Sequence, residues 1–413
     1  MPMKVKGPNG RLMDLQQLEM MLSAAPGQLL RELPKPTTSV LEFADELYGK
    51  SLPTPRQEVD SRQSPYERLL ERIHTHYPCT RLDAEVLFEM LTLVRVVTGS
   101  MTRRYIDWCH KVAAIAASRE VIVPTSPICA SLAICAPTYV QFEKGVKALC
   151  KFLGTPIPHG SWTDVDDAGN VVDVRKLIYR QVPLLPVAMP RSNAESEILD
   201  AIVKALDQVG GLDVRARLGI ECGRGRLGTL DVIRHLQMSS VAMVVIYDWG
   251  DIHCKGEDLW KIAYALRLAG IVPVLVASGA IADCEGSAEF RRAFPANVIE
   301  IGPIDQDDAA NVAKCLVNTL ELDESLLDPL TEMIGSLYGR RDLVDAAAGL
   351  IARGIHVEGL QPKKVIGDVA STIRQEYSGA LVAFEMMCQK GQVTRPLLAQ
   401  FRDALPLALA RRR

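Results

Sequence analysis

The sequence predicts an α/β fold: a parallel sheet held between two helical layers, with a helical region before it and a small helical lid after it. Two apolar runs of strand length carry this reading, Val241 to Asp248 (VAMVVIYD) and Ile271 to Ser278 (IVPVLVAS). Near-continuous apolarity marks strands buried on both faces, which a parallel sheet requires. These runs alternate with segments of helical apolar spacing, the order that builds strand, helix, strand units. At 413 residues, 48% hydrophobic and 23% charged, the chain can bury a substantial core.

Taken in order, residues 1–75 carry Pro26, Pro34, Pro36, Pro53, Pro55 and Pro65 between short helical stretches, predicting an extended N-terminal arm. Residues 76–120 form an N-terminal helical region, with Val86, Leu87, Met90, Leu91, Leu93 and Val94 on one broad face and a second helix starting near Arg103. The α/β core occupies 121–304. Its first strand is Leu132 to Cys135, followed by a helix from Val146 to Leu153. A strand from Pro183 to Met189 leads into a helix from Ala194 to Val209, capped by Ser192 or Asn193. The two apolar runs are separated by a helix from Glu257 to Ala269, and a fifth strand covers Asn297 to Ile301. Residues 305–360 hold three lid helices (Asp305 to Leu322, Leu326 to Leu337, Arg341 to Ala352). Residues 361–413 are a C-terminal tail, helical as far as Gln389.

Between the first strand and its helix lies Ala136 to Glu143, APTYVQFE, in the place a GxxxxGK[ST] phosphate loop would occupy. Set against GPTGVGKS, it keeps Pro137, Thr138 and Val140. Ala136, Tyr139 and Gln141 replace glycines, Phe142 the lysine and Glu143 the hydroxyl residue. The glycines let successive N–H groups turn around phosphate, a conformation that side chains resist. The lysine charge is worth about 4 kcal/mol at close range and an effective dielectric of about 20, and Phe142 has none. Glu143 sets a carboxylate where a hydroxyl would hold magnesium. Lys144, the nearest cation, sits two residues on and points about 200° away around a helix.

The strand ending in Asp248 poses the same contrast. A nucleotide hydrolase of this class ends it in Asp-Glu, the first residue for magnesium and the second to orient water. Here the pair is Asp248 and Trp249, and an indole accepts no proton. Asp251 and His253 follow as nearby polar groups. The next strand closes on Ser278 and Gly279, and Arg291, Arg292 and Phe294 precede the fifth.

This succession resembles the AAA+ ATPases that regulate DNA transposition, the TniB/TnsC group, over about Val121 to Ala352. The resemblance implies an AAA+-like P-loop NTPase sandwich with degenerate nucleotide motifs. It places Ser278 as the sensor residue, Arg292 or Arg291 as the arginine offered to a neighbouring subunit, and Arg340 or Arg341 as the lid arginine that touches nucleotide in cis. It also implies an N-terminal helical region packed on the core, and subunits that stack side by side with themselves or with AAA+ paralogues.

A net charge of −3 excludes a globally basic protein, so DNA contact needs a local cluster. Arg215, Arg217, Arg224, Arg226 and Arg234 supply one, with Arg215, Arg217, Arg224 and Arg226 as the candidate DNA-binding residues. In the resembled family, loops of this kind face a filament bore. Gly223, Gly225 and Gly228 spell GxGxxG without the strand that a dinucleotide site needs. The ten cysteines include no CxxC pair, and Cys129, Cys135 and Cys150 fall on or near apolar elements, so no metal is expected. The sequence shows neither membrane span nor secretory leader, and a cytoplasmic location is expected.

The expected function is a transposition regulator or adaptor that has lost or impaired ATP hydrolysis, linking target DNA or a target selector to a transposase. No cofactor is required, and any binding of ATP and magnesium is weak. Two alternatives stay open: an active ATPase using Lys144, Glu143 and Asp248, and a DNA-binding scaffold unrelated to transposition.

Overall fold

The computed structural model describes residues 4–6, 12–14, 27–35, 39–51, 64–75, 77–101, 104–118, 121, 130–166, 168–211, 213–216, 218, 227–250, 256–385 and 396. Its strands are β1 (Lys4–Lys6), β2 (Leu12–Asp14), β3 (Leu132–Cys135), β4 (Ile157–Val165), β5 (Val171–Gln181), β6 (Leu184–Ala188), β7 (Met243–Trp249), β8 (Val272–Ala277) and β9 (Ile299–Glu300). The α-helices described are α1 (Gln28–Arg31), α2 (Val40–Ser51), α3 (Pro65–Thr75), α4 (Arg81–Gly99), α5 (Tyr105–Ser118), α6 (Phe142–Phe152), α7 (Glu195–Gly210) and α8 (Thr229–Met238). After them come α9 (Glu257–Leu268), α10 (Ala288–Ala293), α11 (Gln306–Leu320), α12 (Leu327–Ser336), α13 (Arg341–His356), α14 (Pro362–Glu376) and α15 (Ser378–Glu385).

The central sheet is wholly parallel, in the order β6, β7, β8, β3, β9. The first core strand, β3, therefore lies between the fourth and the fifth. Alternation along each strand divides the side chains between two cores. Leu132, Ile134, Met243, Val245, Val272 and Val274 join α2, α4 and α6 on one face. Ala133, Cys135, Val244, Ile246, Leu275 and Ala277 join α7 to α10 on the other. This is a three-layer sandwich of helices, parallel sheet and helices, the α/β class that the sequence predicts, with the sheet's C-terminal edge carrying the loops.

A third core is helical. Residues of α11, α12 and α13 pack with Val365, Ile366 and Ile373 of α14 and Leu381 of α15, so the lid continues past residue 360 into the expected tail. Leu69 and Ile73 of α3 complete it. Nor is the first stretch of the chain extended throughout. Phe43 and Leu47 of α2 are fully buried in the first core, and Leu30 and Leu33 join them. Apolar pairs four residues apart outweigh the prolines here. Pro65 opens α3 at its first position, where the missing N–H costs nothing.

Three local differences matter for the site. Helix α6 begins at Phe142, four residues before Val146. The cap of α7 is Ala194 with no side-chain bond, while Ser192 Oγ accepts from Ala194 N–H at 3.1 Å. A long antiparallel hairpin, β4 with β5, separates α6 from β6, in a stretch to which the sequence pattern assigns no element. No helix among the described residues is long and apolar enough to cross a membrane.

Candidate functional site

The loop after β3 lies between a strand and a helix and spends its groups on the protein itself. Ala136 N–H donates to Ala277 O at 2.7 Å, tying the loop's start to the neighbouring strand. Thr138–Val140 then winds into a 3₁₀ turn, with Val140 N–H on Pro137 O at 2.8 Å and Gln141 N–H on Thr138 O at 3.3 Å. Two donors that would face phosphate are thereby consumed. Gln141 adopts φ 53° and ψ 37°, the left-handed turn at the position of the last glycine. The sequence suggested that Gln141 would resist this turn. It takes it, at a cost of about 1–2 kcal/mol for a residue with a β-carbon.

Phe142 is buried in the first core with Val140, Val146 and Leu149, filling the lysine's place with packing. Lys144 forms an ion pair with Asp345 of α13, both side chains mostly buried. It bridges core and lid instead of reaching toward the loop. Tyr139 is also buried. It meets Phe384 of α15 edge-on at 5.1 Å, and the Arg340 guanidinium lies 5.8 Å from each of these two rings. Arg340 is further held by Asp342 at 3.1 and 2.6 Å, and Tyr338 Oη contacts Glu385 at 3.0 Å. Helix α15 thus closes over the loop. Between loop and lid remains a cleft lined by Tyr77, Gln141, Lys144, Arg341 and Asp345, with room for about one water molecule.

Arg341 is engaged within the protein. Its side chain is buried, donating to Pro78 O at 2.7 Å and to Asp83 of α4, with Tyr77 4.7 Å beneath the guanidinium. Burial opposes its charge, yet Asp83, aided by Tyr77, Cys79 and Asp345, holds it firmly protonated. The sequence placed a nucleotide-sensing arginine at 340 or 341. The structure gives Arg340 to aromatic rings and Arg341 to a core ion pair.

On the other wall, Asp248 is exposed and itself left-handed, at φ 63°. The strand pairing shifts between Ile246 and Trp249, which turns Trp249 into the second core against Trp260 at 5.8 Å. The water-orienting position has become a core residue. Glu143 faces this acid: burial, then the Asp248 charge, raises its carboxyl above the usual range, partly offset by its own backbone N–H, Lys147 and Lys144. A raised acid stabilises the fold below its ordinary range and loses that contribution as pH climbs through the raised value. Glu143→Gln is therefore expected to raise the thermal midpoint at pH 7.5, with the gain shrinking toward pH 4. A midpoint unchanged at pH 7.5 would remove the strain from this position.

Ser278 is buried and caps the 3₁₀ turn after β8, accepting from Ala280 N–H at 3.3 Å. Arg291 and Arg292 are exposed at the end of α10. Arg291 Nε donates to Glu285 O at 3.0 Å, and Arg292 lies over the Tyr264 ring at 5.6 Å. Arg215 is exposed and ion-paired with Asp200 at 3.0 Å, whereas Arg234 is buried and joins no surface cluster. Arg217, Arg224, Arg226, Asp251, His253 and Cys129 lie outside the described residues. Cys135 is buried, and burial pushes the Cys150 thiol up to about 12. Phe384, Tyr338, Asp345 and Asp83 complete the arrangement, and no motif marked them.

Neither a family model nor a curated protein matches this chain. Among solved structures it is similar to one described as the structure of C. elegans PCH-2, with 10% identity, 75% of this chain and 73% of that chain covered, and a TM-score of 0.39.

Proposed function

We propose that this protein is an AAA+-like adaptor that works without hydrolysing ATP, in a DNA transposition system, linking target DNA or a target selector to a transposase. The observation that carries the first half is the filled loop. Phe142 is packed into the core where a lysine would stand, and Tyr139 is covered by Phe384. The competing reading, an ATPase running on Lys144, Glu143 and Asp248, finds no support in a Lys144 committed to Asp345. The second half rests on the order of elements that resembles the TniB/TnsC regulators. Their side-by-side stacking leaves a use for exposed Arg291 and Arg292 at a neighbour's nucleotide in a chain whose own loop is filled by Phe142 and Tyr139.

One experiment addresses both halves. Calorimetric titration with ATP and magnesium is expected to show no binding, while addition of the chain to an active AAA+ transposition ATPase on DNA changes that partner's assembly or turnover. Replacing Arg291 and Arg292 by alanine should then remove the effect on turnover. Low-micromolar ATP binding with turnover by this chain alone sinks the first half, and an indifferent partner sinks the second.

A further inference from the structure

Three residues that line the cleft between loop and lid each carry a buried polar atom with no hydrogen-bond partner among the described residues. These atoms are Tyr77 Oη, Gln141 Oε1 and Arg341 Nε. Tyr77 lies between α3 and α4, Gln141 precedes α6 and Arg341 opens α13, so the N-terminal region, the core and the lid contribute one each. Tyr77 and Arg341 are 1% and 4% exposed, which denies both atoms bulk solvent. The other guanidinium nitrogens serve Pro78 O and Asp83, leaving only the Nε–H. Burial, against the opposing charge of Arg341 and with help from Asp83, raises the Tyr77 phenol well above its usual range, so the hydroxyl keeps its proton. Gln141 Oε1 can only accept.

We infer that this cleft binds one water molecule as a fixed part of the fold, accepting from Arg341 Nε–H, donating to Gln141 Oε1 and sharing a hydrogen bond with Tyr77 Oη. Three partners are the usual complement of a buried water, and the cleft has room for about one molecule. The lining selects water over an ion. Lys144 is paired with Asp345 and Arg341 with Asp83, so no unmatched charge draws an ion in. A cation would face the Arg341 Nε–H and an anion would face Gln141 Oε1, whereas water both donates and accepts. The side chains of Pro78, Ile304, Val312 and Val344 make the rest of the wall apolar and offer no competing partner. Left unpaired, buried polar atoms are costly. The water therefore joins three segments that make no such bond directly, and the lid cannot part from the loop without breaking the bridge. Being neutral, it completes the guanidinium's hydrogen bonds and replaces no charge. The inference does not rest on the transposition reading.

Two measurements on the full chain test this. High-resolution crystallography is expected to show a water oxygen about 2.7–3.2 Å from at least two of the three atoms. Oxygen-17 relaxation dispersion, which counts waters held longer than the protein takes to tumble, is expected to lose one such water in Gln141→Met. Methionine matches glutamine in length and brings no comparable acceptor. Tyr77→Phe keeps the ring beneath the guanidinium, removes one of the three bonds and should shorten the water's residence about tenfold. A cooperative thermal transition verifies that each variant folds. A cleft without water, direct bonding between Tyr77 and Gln141, an ion in that place, or a long-lived water unchanged in both variants overturns the inference.

Discussion

Asp83→Ala is expected to cost about 3–5 kcal/mol of folding stability, because it strands a buried guanidinium. Asp83 serves two elements at once. Its carboxylate accepts from Thr80 N–H at 2.9 Å in the capping box that opens α4, and it pairs with Arg341 at the first position of α13. Both side chains are buried, with Tyr77 stacked on the guanidinium, so water cannot replace the lost partner. Asp83→Asn keeps a capping oxygen and removes the charge, which separates the two roles. Adding Arg341→Met to Asp83→Asn should recover much of the loss, since removing both members of a buried pair is far cheaper than removing one. Urea unfolding of the two single variants and the double measures this. A loss below about 1 kcal/mol in Asp83→Ala, or strictly additive singles, would mean that the pair does not clamp the lid to the N-terminal helices.

That clamp gives Arg341 a partner within the protein, in the place where the resemblance implies a nucleotide contact. The turn before α13 is legible as Gly339, Arg340, Arg341, and so is the helix it opens. What the sequence does not show is the partner, because Asp83 lies more than two hundred and fifty residues away and reads locally as an ordinary helix cap. The same limit applies to the loop. The losses at Tyr139, Gln141, Phe142 and Trp249 are visible residue by residue, as are the buried strands, since apolar runs and missing glycines are local facts. That Phe384 would cover Tyr139 is a long-range contact from a tail with no motif. The hairpin is illegible in the sequence for a different reason. Its β5 strand exposes valines and isoleucine on the solvent side, so the usual alternation of apolar inside and polar outside is blurred.

Gly339→Ala is expected to cost about 4 kcal/mol, combining a left-handed backbone with a displaced neighbour. Gly339 has φ 64°, directly after Tyr338 at φ 54°, and these two residues reverse the chain between α12 and α13. An added β-carbon would lie 1.9 Å from Ile304 O, an impossible contact with backbone rather than with a side chain that could swing away. Ile304 N–H donates to Gly339 O at 2.9 Å and Gly339 N–H to Ile334 O at 3.0 Å, so the turn is stitched to the segment that leaves β9. Shifting it would open the seam between core and lid that Lys144 and Asp345 also close. Gly359→Ala provides the control. Its φ of 67° imposes the same backbone cost, of about 1–2 kcal/mol, but an added β-carbon there meets nothing within 4 Å. Urea unfolding should therefore separate the variants by about 2–3 kcal/mol, and amide exchange at Ile304 should rise only in Gly339→Ala. Equal losses in the two would show that the chain relieves the Ile304 contact by a small movement, and that the seam between core and lid is not held by this turn.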